Sequence, residues 1–321
     1  MHAITLARLK YPHFLSSHGY CSYHVSLMSS AAIRAGALLK NAPRNAVAKI
    51  GEGHRSVITE GDKKSQREIL SVCSKLSEAK FLCEEDSNDP RVLPREISRE
   101  DLHGTILVVD PVDGTVRFAG GYPDWTIGIG KICSGAIVSG IIFAPAANGG
   151  MLLFSEVGHG VFLYEQGSCK KVPIRPAAGT PMESSVVLFG VDASLYPNLA
   201  RLVPKITVNV LGKYDVGSGL FGLMMVALGR AQAVVQTPQK AWDWVPAYRA
   251  IINTGNVFRF FRLKNGKLIP EEWYDFEAFS YAPKHRLGFV AGEPALVKKL
   301  FDKLPKSGWA RINPESVSGI W

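Results

Sequence analysis

Two carboxylates, a glycine and a threonine at the end of one apolar run mark the chemistry this chain can do. They lie in Thr105-Ile-Leu-Val-Val-Asp110-Pro-Val-Asp113-Gly-Thr115. The apolar, β-branched stretch before them reads as a buried strand. Asp110 and Asp113 at such a strand end repel each other and resist leaving water. A bound cation relieves both costs, and oxygen-only ligands favour a hard ion such as Mg²⁺ over zinc or copper. Pro111 fixes the turn and removes a backbone donor. Gly114 lets the backbone approach a ligand closely, and Thr115 adds a hydroxyl. The combination points to metal-assisted phosphate chemistry.

Two look-alikes fit poorly. A calcium loop of the EF-hand type needs acidic or amide residues at alternate positions before its glycine, and Pro111 and Val112 interrupt that pattern. Phosphatases of the haloacid-dehalogenase type carry Asp-x-Asp-Gly-Thr after a strand, but their nucleophilic aspartate would fall on Pro111. An Asx-rich turn is the bland alternative. Three further segments sharpen the reading: Val57-Ile-Thr59-Glu60-Gly-Asp62, Phe81-Leu-Cys83-Glu84-Glu85-Asp86-Ser87 and Ala241-Trp242-Asp243. Taken singly, Asp62 and Asp243 fit helix caps better than ligands, and Glu84-Glu85-Asp86 fits a solvated turn.

Together the four segments resemble the inositol monophosphatase family, within the wider Mg²⁺-dependent, lithium-sensitive phosphatases. Asp110 to Thr115 matches the family's central motif, Glu84-Glu85 its Gly-Glu-Glu, Val57 to Asp62 its Val-Thr-x-x-Asp, and Trp242-Asp243 its late Trp-Asp. Order and spacing agree from about Ser26 to about Leu304. Gly158-His-Gly160 and Gly217-Ser-Gly219 stand where family glycines are expected.

The resemblance implies a layered α-β-α-β-α sandwich of the inositol monophosphatase and fructose-1,6-bisphosphatase type. It implies metal ligation by Glu84, Asp110, Asp113, Asp243 and the Val112 carbonyl, with two or three Mg²⁺ ions. Asp62 is expected to help hold the third. Hydrolysis is expected to be direct, by a water that Mg²⁺ acidifies and that Thr115 and Glu84 orient, so Glu84, Thr115 and Asp62 are the expected catalytic residues. Backbone N–H groups at Gly114, Thr115, Ser218 and Gly219 are expected on phosphate oxygens. A homodimer is also implied.

Departures cluster on the leaving-group side. Cys83 replaces a usual glycine, and Arg117 stands where Asn is frequent. Gln232 and Gln236 occupy positions that commonly carry acids in members acting on inositol phosphate, the latter contacting a sugar hydroxyl. Gln236 still hydrogen-bonds a hydroxyl through its amide, but without charge. Arg230 adds a cation nearby, and Thr254-Gly255-Asn256 replaces a usual Glu-Ala-Gly-Gly.

These residues need elements to position them. Helices are predicted over 26–41 and 63–77. Strands are predicted near 79–83, 105–110, 124–132, 136–144, 151–155 and 160–164, the middle pair antiparallel. The Pro- and Gly-containing stretch 173–181 reads as a linker. Beyond it strand and helix alternate: strand 184–190, helix 194–202, strand 206–210, helix 218–229, strand 231–236, helix 243–254, strand 286–290 and helix 293–304. The expected division is an extension over 1–25, an α+β subdomain over 26–175 bearing the metal site, and an α/β subdomain over 176–321 that completes it.

Composition fits a globular chain. At 321 residues and 46% hydrophobic content, it can bury a large core. No apolar run reaches the 18 or more residues of a spanning helix. The five cysteines are scattered, without a Cys-x-x-Cys pair, which suits a reducing compartment and no zinc site. The formal charge of +9 is spread without an aromatic-interleaved basic stripe, so it reads as attraction for anionic esters rather than nucleic-acid binding. The first 24 residues are basic and acid-free. They read as a disordered or artefactual extension, with Met28 near the true start, or as a transit peptide. The expected location is the cytoplasm.

Three readings follow. The first is a Mg²⁺-dependent phosphomonoesterase on a small polyol or sugar phosphate such as inositol 1-phosphate. The second is the same chemistry on histidinol phosphate, a 3′-phosphonucleotide or fructose 1,6-bisphosphate. The third is a regulatory or RNA-interacting protein with a residual site, against which stands the full set of carboxylates.

Overall fold

Thr105–Asp113 forms one strand with both faces buried. Leu107 and Val109 enter one core while Ile106 and Val108 enter a second. A two-residue period with apolar residues on both sides demands such a central position. The computed structural model describes residues 15, 19–48, 57–94, 97–175, 179–190, 203–204, 208–279 and 283–309.

The chain opens with helix α1 (Tyr23–Leu39), a two-residue hairpin of β1 (Val47–Ala48) and β2 (Val57–Ile58), and helix α2 (Glu60–Cys73). The first sheet then runs in chain order: β3 (Ala79–Cys83), β4 (Thr105–Asp113), β5 (Thr126–Cys133), β6 (Ala136–Ala144), β7 (Met151–Glu156), β8 (Gly160–Glu165) and β9 (Ser168–Lys171). β3 pairs parallel with β4, and every later pair is antiparallel. The short helix α3 (Thr115–Ala119) follows β4.

The second sheet contains β10 (Val186–Gly190), β11 (Gly212–Asp215), β12 (Ala233–Gln239), β13 (Val257–Lys264), β14 (Lys267–Glu271) and β15 (Leu287–Gly292), in the spatial order β11-β10-β12-β15-β13-β14. β10 is parallel to both neighbours and the other pairs are antiparallel. Helices α4 (Gly219–Leu228) and α5 (Val245–Asn253) pack between the sheets, and α6 (Pro294–Lys303) covers the outer face of the second. With α1 and α2 on the outer face of the first sheet, the layers read α-β-α-β-α, as the resemblance implied.

One contact between layers matters for the site. β5 and β6 present Gly128, Gly130 and Gly140 toward α5. A methyl group at Gly130 would lie 2.7 Å from Val245 Cγ1, and one at Gly140 would overlap the Pro246 carbonyl. The first turn of α5 therefore rests directly on the sheet backbone. Asp243, two residues before α5, is carried with it to the end of β4. Trp244 is fully buried and packs edge-on to Phe260 at 5.2 Å and against Tyr274 and Phe279, tying this segment to the second sheet.

The strand expected over 136–144 has those bounds, and 79–83 likewise. Both α1 and α2 begin three residues earlier than predicted, because Ser22 and Thr59 cap them. The helix expected over 194–202 lies outside the described residues, as do 206–207 of the strand expected over 206–210; 208–210 form a turn, and the described strand is β11 (Gly212–Asp215). β9 and the β13–β14 hairpin were not anticipated. Nor is the stretch before residue 26 merely an extension: Leu15, Cys21 and Val25 are buried in the first core, and Met28 lies inside α1.

Candidate active site

β4 delivers Asp110 to the sheet edge and then turns. Val112 N–H donates to Asp110 Oδ1 at 3.1 Å, and Ser65 Oγ donates to the Pro111 carbonyl at 2.7 Å. Asp113 is 7% exposed and is held by the second half of the chain. Its Oδ2 accepts from Leu220 N at 2.7 Å, Ser218 Oγ at 2.5 Å and Thr126 Oγ1 at 3.1 Å, while Oδ1 accepts from Gly219 N at 3.2 Å. The N-terminus of α4 thus faces Asp113, where its partial positive charge suits a carboxylate. Gly114 has φ +83°, and a methyl group there would lie 2.9 Å from Ser218 Cβ. Backbone conformation and close approach both require glycine at that position.

Asp243 arrives on the 3₁₀ turn Ala241–Asp243, where its Oδ2 accepts from Lys240 N at 2.8 Å. One carboxylate oxygen each from Asp110, Asp113 and Asp243 lie within 4.8 Å of one another. Glu84 stands beside them at the end of β3, its N–H donating to the Val109 carbonyl at 3.1 Å. Its carboxyl hydrogen-bonds Asp110.

Crowding and burial raise the pKa values together. Asp110 is held well above the usual carboxylate range, chiefly by burial and then by the charges of Glu84, Asp113 and Asp243. Burial pushes Asp243 up to about 7, with Glu84 and Asp113 adding to it and Lys240 opposing. Asp113 is pushed up to about 6 by burial, against the hydrogen bonds from Ser218, Leu220, Thr126 and Gly219. Such a cluster is costly as anions and is relieved by protons or a cation. The donor set is oxygen only, and two ligands on opposite sides of Mg²⁺ stand about 4.2 Å apart. A spacing within 4.8 Å therefore fits that ion with little contraction.

Thr115 and Asp62 form a second unit. Thr115 Oγ1 donates to Asp62 Oδ1 at 3.0 Å and to the Val112 carbonyl at 3.1 Å. Asp62 Oδ2 accepts from Thr59 N at 2.8 Å and Thr59 Oγ1 at 2.5 Å, completing a capping box on α2. Asp62 is fully buried with both oxygens engaged. Those bonds come from Thr59 and Thr115, so any part in holding a third ion would compete with them. A second point concerns Gly219, whose N–H, expected on phosphate, donates here to Asp113, as does the Ser218 hydroxyl.

Gln236 lies beside this region. It is 2% exposed, and its Nε2 has no hydrogen-bond partner. That nitrogen sits 3.4 Å from where a Cβ on Gly219 would be. Gln232 instead accepts from Val186 N at 2.7 Å and supports the fold. Arg117 pairs with Asp124 at 2.6 Å and stacks over Tyr122 at 4.0 Å. Arg230 pairs with Glu165 on the surface.

Ser65, Gln66 and Thr126 were missed as site residues. A signal existed for the first two: residues 62, 65, 66 and 69 share the buried face of α2, and polar residues on a core-facing stripe need buried partners.

A family model described as the inositol monophosphatase family matches residues 24–260. A fructose-1,6-bisphosphatase/inositol-1-monophosphatase of Thermotoga maritima is 24% identical over 191 residues, 60% of this chain and 66% of its own length. The chain thus spans just under two thirds of that relative. An inositol-1-monophosphatase of Bacillus subtilis is 23% identical over 274 residues, covering 81% of this chain and 92% of that protein. Among solved structures, an IMPase/NADP phosphatase complexed with Mg²⁺ and phosphate superposes with a TM-score of 0.64 at 16% identity, covering 87% of this chain and 94% of that one.

Proposed function

Because the chain belongs to the inositol monophosphatase family, we propose that it is a Mg²⁺-dependent phosphoric monoester hydrolase acting on a small phosphorylated metabolite. The observation that carries the proposal is the convergence of Asp110, Asp113 and Asp243 within 4.8 Å from both halves of the chain. When bound there, Mg²⁺ supplies a Lewis acid that acidifies water and neutralises charge on phosphoryl and leaving oxygens.

The chain's own groups do the rest. Asp62 accepts the hydrogen bond of the Thr115 hydroxyl, which turns the threonine's lone pairs outward as acceptors for a water. Glu84 is the neighbouring carboxylate placed to receive that water's proton, and the Val112 carbonyl adds a further oxygen donor. N–H groups of Gly114 and Thr115, opening α3, are the phosphate-binding donors. Ser218, Gly219 and Leu220 hold Asp113 before substrate arrives, which is pre-organisation of the kind hydrolysis needs.

Inositol 1-phosphate is the first substrate to test, with Gln236 meeting the leaving alcohol. The uncharged Gln236 keeps a second reading open, the same chemistry on a phosphonucleotide, histidinol phosphate or fructose 1,6-bisphosphate. The IMPase/NADP phosphatase relative supports adding a nucleotide ester to the panel. A homodimer, lithium sensitivity and a cytoplasmic site of action belong to the same reading; among the described residues no helix is long and apolar enough to cross a membrane. The test is phosphate release from this panel by the purified full chain with Mg²⁺, with EDTA and with lithium. Mg²⁺-dependent release from one ester is expected. Release that persists in EDTA, or none from any ester, overturns the proposal.

A further inference from the structure

The Glu84–Glu85 segment leaves the sheet where its partners run out. The last β3–β4 pair is Cys83 with Val109, followed by the Glu84 N–H bond to the Val109 carbonyl. On its other side, β3 is held at Phe81 by Arg91 and Leu93. At Glu85 a side chain takes over. Gln66 Nε2 donates to the Glu85 carbonyl at 2.7 Å, and Glu85 N–H donates to Gln66 Oε1 at 3.1 Å. Gln66 is 3% exposed.

We propose that Gln66 is a positioning residue for the hydrolysis, acting as a substitute strand that fixes the Glu84–Glu85 backbone and so presents the Glu84 carboxyl to Asp110. This rests on the phosphatase reading above. A backbone residue offers one donor and one acceptor, and a primary amide matches both at once. Glutamate at this position would face the Glu85 carbonyl with a like partial charge and add an anion to a crowded cluster. Neighbouring residues of α2 hold the other site segments: Ser65 donates to the Pro111 carbonyl, and Asp62 accepts from Thr115. One rigid helix thus sets the relative placement of all three, with Gln66 serving the Glu84–Glu85 segment.

The test compares full-length wild type, Gln66→Met, Gln66→Glu and Ile69→Val. Ile69 lies on the same buried face without a polar contact, so it reports loss of packing alone. Tm in EDTA, the Mg²⁺ Kd by calorimetry, and KM and the Mg²⁺ half-activation point for the best ester are measured. Gln66→Met is expected to weaken Mg²⁺ binding by about 10-fold, in the range found when outer partners of metal ligands are removed. KM for the ester stays within about two-fold, since Gln66 does not reach substrate. Ile69→Val lowers Tm and leaves the Mg²⁺ Kd unchanged. Gln66→Glu keeps the bond from the Glu85 N–H and the side-chain size, so it reports on a folded protein even where Gln66→Met does not fold; it too weakens Mg²⁺ binding. Wild-type Mg²⁺ affinity in the Gln66 variants, or an equal change in Ile69→Val, overturns this proposal alone. Absence of Mg²⁺ binding by the wild type overturns the metal reading as well.

Discussion

Removing divalent cations makes the stability of this protein fall with rising pH. Asp113 and Asp243 are pushed up to about 6 and about 7 from an ordinary 3.8. The folded chain therefore holds protons that the unfolded chain has released. The stabilising contribution is fully present below about pH 4 and is lost as pH rises through 6 and 7. For Asp113, the rise from 3.8 to about 6 corresponds to about 3 kcal/mol. At about 2 °C per kcal/mol for a chain of this size, that is a fall of about 6 °C in Tm. Mg²⁺ takes the place of those protons, so its stabilisation grows over the same window, reaching about 2.7 kcal/mol at a hundred times its Kd. The assay is calorimetric unfolding of the full chain at several pH values between 5 and 8, in EDTA and in excess Mg²⁺. Groups away from the cluster contribute alike in both arms, so the difference between arms isolates the cluster. A Mg²⁺ increment in Tm that is the same at pH 5 and pH 8 refutes the reasoning.

Asp110→Asn removes one charge while its Oδ1 can still accept from Val112 N–H. Its metal-free Tm at pH 8 should equal or exceed that of the wild type, with the Mg²⁺ increment lost and turnover reduced by more than about 100-fold, beyond what loss of an outer partner costs. Asp113→Asn should be less stable than Asp110→Asn, because its NH₂ group meets donors from Ser218, Leu220, Thr126 or Gly219, and each donor left unpaired costs about 1–3 kcal/mol; equal Tm values for the two would contradict this. Thr115→Ala should lower kcat while leaving the Mg²⁺ Kd near that of the wild type, as read by calorimetry beside steady-state kinetics. Gly140→Val forces α5 off the sheet at Pro246; overpacking of this kind costs about 1–3 kcal/mol, and here it should also weaken Mg²⁺ binding by displacing Asp243.

Much of the fold was legible where hydrophobic pattern and turn chemistry agree. β4 announced its central place by the unbroken apolar run Ile106 to Val109, and β5 by the alternation in Trp125 to Lys131. The β13–β14 hairpin was overlooked because Arg259, Arg262 and Lys264 interrupt its apolar run, yet its turn signal was present. Asn265 and Gly266 carry φ values of 51° and 69°, the positive pair that closes a two-residue hairpin. Gln166-Gly167 before β9 repeats it at 51° and 81°. β9 and β14 are edge strands with Leu268 as their one buried residue, so hydrophobicity alone passes over them. The site was legible as residue types in sequence order, since carboxylates beside a buried strand have few physical uses. Its supports were legible only in part: polar residues on the buried face of α2 call for buried partners, but nothing local says that the partner of Gln66 lies 19 positions away.

The choice between cap and functional group, which single segments leave open for Asp62 and Asp243, dissolves in the structure because a carboxylate has two oxygens. Asp62 gives Oδ2 to the Thr59 cap and Oδ1 to Thr115. Asp243 gives Oδ2 to the Lys240 N–H, and its other oxygen remains for the cluster with Asp110 and Asp113. In each case the bond that stops or starts a turn also fixes the rotamer that serves the site. The arrangement places the acids before any ion arrives, and the repulsion it stores appears as raised pKa values in the folded protein. Local helix-end chemistry and the cost of crowding carboxylates are therefore one design: the caps hold the charges together, and the cation that such a cluster favours is the one the proposed hydrolysis would use.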